Sequence, residues 1–542
     1  MSIADLNDFE NNSLFQADLC IVGSGPAGLS IAREFAGTST SVLVLESGGR
    51  EEESATQALY EIDSAPPRQL NQSILRRRIV GGSSYIWTGR CAPFQTVDYE
   101  KRPWVPNSGW PQVQAQLEHW LERAGTILGL GPNCYDDGAL WTHFKSPRPR
   151  PALDDESLEP MFWQFSKSPR NHKLSIDFGK DRLADCDAPN IRILLHANLT
   201  HINTNYAGTR FDCAEIRSLA GKRACVRTRA LVLCCGGVEN ARLLLASNRV
   251  FPNGVGNEHD NVGRYLMDHS DSVVGVFDPE KAAPVRSRFG HYWLDNDRGR
   301  HVFLHGLALS PKLQQKEELL NCHAYVDAFD VSQEDPWHAL DRVKSAIRTR
   351  GPVADLCRNT GTALLHSGQL LQGLYRRHVK HRPQLQNLTR VELHCILEQV
   401  PDRQSRVTLS EDREDALGMP LSKIDWKISD LERRTAKRMT QLVSDQFRRL
   451  GLPTPRTTPW LEDYNAWRFN CVEKAHPTGT TRISESPNDG VVDRNCQVHG
   501  IDGLFVSGSS VFPTSGASNP TLMIVATALR LANFLKTRPY LS

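Results

Sequence analysis

Apolar positions near the start of this chain form a run, then take helical spacing, then form a second run. Residues 19–22 are an unbroken apolar stretch, as expected of a strand buried on both faces. After a glycine-rich turn, Leu29, Ile31, Ala32 and Phe35 fall on one helical face. Residues 42–45 are apolar again and lead into Glu46. Strand, turn, helix and strand in this order predict a parallel βαβ unit. From Asn190 the pattern alternates through IRILLHANLTHINTN, CAEIRSL and ACVRTRALVL, which predicts a small antiparallel meander. It ends in a buried strand at 230–235, where Gly236-Gly237 turns into a helix at 239–247. That second strand–turn–helix unit is expected to return the chain to the first sheet.

Further along, 113–128 reads as a helix, and the aromatics Phe162, Trp163 and Phe165 in 159–172 read as core. Residues 64–67 read as a loop. Strands are expected at 290–294, 301–309, 322–328, 390–399, 405–410 and 421–426 within alternating segments. A helix is expected over 337–371, interrupted near Gly351-Pro352, and another over 430–450 with Leu431, Met439, Leu442, Val443 and Phe447 inward. Residues 504–506 are a strand. Asn519-Pro520 reads as a helix start, Asn as N-cap and Pro in the first turn. The fold class is therefore α/β. A discontinuous Rossmann-like domain is expected from 1–100, 186–270 and 460–542. Residues 101–185 and 271–459 are assigned to a substrate domain with a mainly antiparallel sheet backed by helices.

The first turn carries chemistry. Gly23-Ser24-Gly25-Pro26-Ala27-Gly28 is a G-x-G-x-x-G. Gly23 permits the tight turn, Gly25 admits a pyrophosphate to the backbone, and Gly28 lets helix and strand pack closely. The helix N-terminus offers free N–H groups to phosphate oxygens. Glu46 stands where a carboxylate accepts hydrogen bonds from ribose hydroxyls. Gly81-Gly82-Ser83-Ser84 is a backbone nest able to hold an anion. Of Arg76-Arg77-Arg78 before it, two are expected on a solvated face.

Composition narrows the field. The 542 residues carry a formal net charge of +2, so no overall field points to nucleic acid or a membrane. The polar, acidic opening MSIADLNDFENNSLFQ has no signal-peptide pattern, and prolines and glycines break the longest uncharged stretch, so no integral membrane segment is expected. Thirteen cysteines without a C-x-x-C pair suit a reducing, cytoplasmic setting, and Cys234-Cys235 read as buried core. No metal site is proposed.

Several motifs now stand in order: GSGPAG with Glu46, GGSSYIW, CGGVENARLLLAS, NVGRYLMDH, HPTGTTR, VVDRNCQVHG and LFVSGSSVFPTSGASNPTLMIVATALRLA. Together they resemble the glucose–methanol–choline (GMC) family of FAD oxidoreductases over nearly the whole chain. The wording of the last two is most like the pyranose oxidase and glycoside dehydrogenase branch. The resemblance implies FAD, hydride removal from an alcohol carbon and a two-domain fold. It maps His476 opposite the flavin N5 and Asn519 beside it at the start of the last helix. Pro520 and Thr521 would aim that helix at the flavin, with Leu199, Gly508 and Ser509 as further cofactor contacts. Gly508-Ser509 replace an aspartate common in relatives, which leaves the phosphate contacts there less defined. Some relatives tether FAD through a histidine after the Gly-Gly; none lies between Arg76 and Arg102 here, so non-covalent FAD is expected.

The chemistry asks for the same groups. Oxidising an alcohol needs a base for the O–H proton, and a neutral histidine serves at pH 7. An amide beside it supports alkoxide character in a dry site. His269, which follows Asp268, and His499 read as structural. The substrate expected is a sugar, glycoside or other hydroxylated small molecule, with the electron acceptor left open. Two rivals remain: a reductase or monooxygenase using NAD(P)H, for which CCGGVENA lacks the second fingerprint, and a non-catalytic flavoprotein, which would not need His476 and Asn519.

Overall fold

The computed structural model describes residues 1–63, 75–111, 115–144, 146–154, 156–332, 335–349 and 352–538. The loop expected at 64–67 lies outside the described residues. The βαβ unit forms as the apolar runs predict. The strand Ser13–Val22 leads through the glycine turn into the helix Pro26–Glu34, and Val42–Leu45 pairs parallel with the strand. Parallel order runs Ser2–Asp5, Ile191–Leu195, Val42–Leu45, Ser13–Val22, Arg223–Leu233, Leu504–Val506. Ile21, Val44, Ile193 and Val232 are fully buried, as both-face coverage requires. Asn198–Thr204 and Phe211–Arg217 extend the sheet as the antiparallel meander. Gly236–Ala246 is the second helix to leave a strand end, as expected.

The last helix, Thr521–Lys536, packs against both Pro26–Glu34 and Ala115–Ile127. Leu522, Val525, Ala526, Leu529 and Ala532 are buried, and so are Met523 and Ala528, because helices cover it on more than one side. It starts later than expected: Pro520 occupies the N-cap position without a side-chain cap, so Asn519 does not cap it.

The second sheet is antiparallel and nine-stranded. Its path runs Arg456–Thr457, Ser270–Phe277, Leu388–Leu397, Cys322–Val331, Gly299–Leu309, Leu158–Phe165, Arg90–Cys91. Leu158–Phe165 is a plain strand that buries Phe162 and Trp163. The helix Asp430–Arg449 lies behind this sheet and packs Met439, Leu442, Val443 and Phe447 against Val274, Phe277 and Leu393. Ser429 and Glu432 form its capping box.

Three local expectations change. The segment beginning at 287 opens in a short helix, Ala283–Arg288, before its strands. The region from Trp337 holds three helices, Pro336–Thr349, Val353–Leu365 and Ser367–His378, with a second break at His366. Arg406–Glu414 and Pro420–Asp425 do not join the large sheet. They pair with each other and with Ile62–Asp63, and they set Val407 and Met419 into the core of the nucleotide side.

His305 shows what burial does to a titratable group in the second sheet. It is 3% exposed, stacks on Phe162 with ring centroids 4.6 Å apart, and pairs Nδ1 with the Arg288 carbonyl at 3.0 Å. Burial pushes its imidazole down to about 3. The unfolded chain, with an ordinary histidine, therefore binds a proton that the folded chain excludes across the interval between. Stability from this residue is complete above pH 6.5 and is lost as pH falls. His305→Phe should lower the slope of unfolding free energy against pH, between about pH 4 and 6, by roughly 1.4 kcal/mol per unit. Denaturant titrations giving an unchanged slope would refute this.

Candidate active site

The C-terminal ends of Ser13–Val22 and Arg223–Leu233 lie side by side, so their two glycine turns meet. Gly23 is left-handed at φ +97°, and a Cβ there would stand 2.8 Å from the Cys234 carbonyl oxygen. A Cβ on Gly28 would lie 1.9 Å from the Gly23 carbonyl oxygen, which is the close helix–strand packing expected of it. Gly25 differs. A Cβ there meets nothing within 4 Å, so its backbone faces open space. Gly81 and Gly82, at φ +93° and +58°, bring the second loop over the first; the Gly81 amide donates to the Ser24 carbonyl at 3.2 Å. Ser83 and Ser84 sit beside them, Ser84 donating to the Gly81 carbonyl at 2.6 Å.

A cavity of about 540 Å³ begins at these turns and is lined by Gly23, Gly25, Gly82, Ser83, Ser84 and Glu46. Gly28 and Gly81 shape its wall from behind. Glu46 is buried; one oxygen accepts from the Ser24 amide and hydroxyl at 3.0 and 2.6 Å, the other from the Gly48 amide at 2.9 Å. Burial raises its carboxyl above the usual range, and these donors offset part of the rise. Leu199 lines the same end. Gly508, at φ +107° with open space at its Cβ position, Ser509, Pro520 and Thr521 line the cavity from the C-terminal segment. The cavity fits a dinucleotide: the backbone is open at Gly25 and Gly508, and the Glu46 carboxylate stands in its wall.

Arg76, Arg77 and Arg78 are not a solvated face. Arg76 and Arg78 lie over the Tyr60 ring at 4.3 and 4.2 Å, and both reach Glu239, at 3.6 and 2.9 Å. Arg242 reaches the same carboxylate at 3.3 Å. Burial opposes the Glu239 charge, but the three arginines outweigh it and hold its carboxyl below the usual value. The Arg77 side chain is largely covered beside Glu52 at 3.2 Å. Cys234 is buried as expected, whereas Cys235 is only half-buried; both line the cavity.

At the other end of the cavity stand His476 and Asn519. His476 Nδ1 lies 2.9 Å from Nδ1 of His269. His269 is fully buried, and its Nε2 lies 3.1 and 2.9 Å from the carbonyl oxygens of Ser515 and Gly516. Carbonyls only accept, so the proton of His269 sits on Nε2 and its Nδ1 carries a lone pair. His476 must then donate through its own Nδ1, which leaves its Nε2 lone pair for the cavity. Burial, then His269 and Lys474, pushes the His476 imidazole well below its usual value, so it stays neutral at pH 7. His269 was expected to be structural; it does more, and sets the tautomer of His476.

Asp268 has another task. It accepts from the Lys474 amide at 3.1 Å and the His476 amide at 3.1 and 3.0 Å. This holds Ala475, at φ +56°, in the left-handed region between them. Burial, with Glu473 nearby, pushes the Asp268 carboxyl up to about 8. The Asn519 side-chain oxygen is buried without a hydrogen-bond partner and so is free to meet a ligand.

The second sheet supplies the facing wall: Arg90, Asp271, Tyr325, Asp327 and Ile396. Asp271 accepts from the Tyr325 hydroxyl at 2.8 Å and meets Lys474 at 2.9 Å and His394 at 3.0 Å. Although burial opposes its charge, His394 and Lys474 keep its carboxyl well below the usual range. The Arg90 guanidinium lies 4.2 Å from the Tyr325 ring centre. Sequence reasoning missed Asp268, His269 and this wall; NVGRYLMDH was the one signal that touched them. His301 and His305, on the strand Gly299–Leu309, do not line the cavity. His499 pairs with Ser484 at 3.1 Å away from it, as a structural residue does.

Residues 401–528 match the family model for the C-terminal part of GMC oxidoreductases. The chain is 25% identical over 57% of its length to the fructose dehydrogenase large subunit of Gluconobacter japonicus, a match that spans about half (47%) of that protein. It is 21% identical to the 2-methyl-1,2-propanediol dehydrogenase of Mycolicibacterium austroafricanum over 96% of each chain. The crystal structure of pyridoxine 4-oxidase from Mesorbium loti has a similar fold, with a TM-score of 0.56 at 16% identity over 96% of this chain and 99% of that one. CCGGVENA, the segment a second nucleotide site would have needed, belongs to the first nucleotide sheet, which removes the NAD(P)H reading. The glycine cradle and the histidine pair thus stand in a chain whose C-terminal part, residues 401–528, matches the GMC oxidoreductases.

Proposed function

We propose that this chain oxidises a CH–OH group of a sugar, glycoside or other hydroxylated small molecule, with FAD bound non-covalently. One observation carries the reading: a neutral imidazole with its lone pair at Nε2 and a carboxamide oxygen without a partner both line the cavity that begins at the glycine cradle. The likeness to a fructose and a diol dehydrogenase supports the substrate class. When bound, FAD supplies the hydride acceptor. His476 takes the hydroxyl proton at Nε2 and passes positive charge toward His269 through the Nδ1 contact. Asn519 orients the hydroxyl and shields the alkoxide character that develops. The free amides at the start of Thr521–Lys536 favour negative charge at the cavity by about 0.3–1 kcal/mol. Glu46 is placed to hold ribose hydroxyls, and the Gly25 and Gly82 backbones to hold phosphate oxygens. Tyr85 and Cys91, the nearest nucleophiles in the second loop, do not line the cavity, which supports non-covalent binding. Thirteen unpaired cysteines support a reducing, cytoplasmic setting.

The protein should purify yellow and release FAD into the supernatant on acid precipitation. Glu46→Arg should weaken FAD binding, because it removes the ribose acceptor and adds bulk. Colour that stays with the pellet would show a covalent bond.

Anaerobic mixing with a panel of sugars, glycosides and simple alcohols should bleach the flavin with at least one of them. Failure across the panel, with rapid reduction by NADPH, would overturn the reading. His476→Ala should keep FAD and slow flavin reduction by about 10²–10⁴-fold; Asn519→Ala should cost less. Because the His476 imidazole is held well below 6.5, the wild-type rate should stay level as pH falls from 8 to 6.5 and decline only below that. A decline centred at or above pH 6.5 would point to another base.

His269→Phe removes the acceptor of the His476 Nδ1 proton. Flavin reduction should slow by about 10–100-fold, the usual cost of losing an orienting partner. The acid limb of the pH profile should also move, since the removed ring no longer shapes the His476 charge. An unmoved profile in a folded variant would show that His269 only fills space.

A further inference from the structure

We infer that the three-helix insert Pro336–His378 is a docking surface for an anionic lipid bilayer. The insert joins two neighbouring strands of the second sheet, Cys322–Val331 and Leu388–Leu397. The same strands carry Tyr325, Asp327 and Ile396 of the cavity wall.

Its third helix is amphipathic the wrong way round for a soluble protein. Gly373 and Arg376 face inward: a Cβ on Gly373 would lie 2.3 Å from the Trp337 ring, and Arg376 donates to the Ser287 hydroxyl at 2.9 Å. Leu371, Leu374 and Tyr375, at i, i+3 and i+4, are 68%, 43% and 51% exposed. Leu364 and Leu365, at the end of the second helix, are 70% and 85% exposed, and Val379 is 57% exposed. Seven of the eighteen exposed large apolar side chains among the described residues fall in this insert, and Val379 follows it directly. Such density marks a contact site rather than scattered surface leucines.

Charge identifies the contact. Residues 336–382 hold nine Lys and Arg against two Asp, a net +7 in a chain whose total is +2. Arg358, Arg377 and Lys380 form no ion pair among the described residues. A second copy of the chain would set these same cations against one another, so this face repels itself. Leucines flanked by unpaired cations suit helices lying in the headgroup plane, with apolar side chains at the acyl boundary and cations on anionic headgroups. No helix among the described residues is long and apolar enough to cross a membrane, so the contact is peripheral.

The test is cosedimentation of the full-length, FAD-loaded protein with vesicles of phosphatidylcholine alone or mixed with phosphatidylglycerol. Binding is expected to the mixed vesicles only and should weaken with added salt. The double variant Leu371→Glu, Leu374→Glu should bind about tenfold less. Those side chains point outward, so the variant should fold and keep the wild-type flavin spectrum. No pelleting with phosphatidylglycerol vesicles, or equal pelleting of the variant, would overturn the inference. So would size-exclusion chromatography showing a wild-type dimer that the variant converts to monomer, which would make the patch an interface between copies.

Discussion

Nine parallel residue pairs join Ser13–Val22 to Arg223–Leu233, and the site depends on that register. It ends both strands at one level, so the fingerprint turn meets the Cys234–Gly237 turn with no room for a side chain at Gly23. Leu504–Val506 pairs with the other edge of Arg223–Leu233 at the same level, which brings Gly508 to the same crevice. The rule that open α/β sheets bind ligands beyond the carboxyl ends of their strands is met here by three turns from distant parts of the chain. A slip of one residue would turn the apolar side chains of the central strand to their opposite faces and separate the turns.

The His476 end of the cavity is built on a different principle. Here polar groups are buried in pairs, and each pair decides a proton position. Two backbone carbonyls fix His269, His269 fixes His476, and His476 meets the cavity with one defined lone pair. Burial keeps both rings neutral by opposing charge on each. The arrangement resembles other orienting chains in which the outer member acts on tautomer rather than on substrate. The arginines around Glu239 follow similar logic at the opposite end, where one buried carboxylate is held charged by three cations.

Much of this was legible in the residues, for identifiable reasons. Gly23, Gly25, Gly28 and Glu46 act through local backbone geometry, so spacing alone placed them. The strands at 42–45 and 504–506 and the helix at 430–450 follow from apolar periodicity. What was hidden depends on distant partners. Arg76 and Arg78 look like surface charges until Glu239, far along the chain, comes beside them. His269 looks paired with the adjacent Asp268, but the backbone turns that carboxylate toward the Lys474 and His476 amides instead. The strands from 406 to 425 look like more of the large sheet, because alternation shows a half-buried face without saying against what. Asn519 precedes a proline and looks like a helix cap; only the folded chain shows its oxygen without a partner.

Ala475 carries a cost that bears on how the site works. An L-residue in the left-handed region gives up about 1–2 kcal/mol that glycine would not. Asp268 supplies the hydrogen bonds that hold the alanine there, from both sides of it. Glycine at this position would relax the turn and steady the fold, yet it would also widen the range of backbone angles through which the His476 ring is delivered. The alanine narrows that range. Strain at one residue thus becomes angular accuracy at the next, and the Asp268 hydrogen bonds on either side of Ala475 hold it in place.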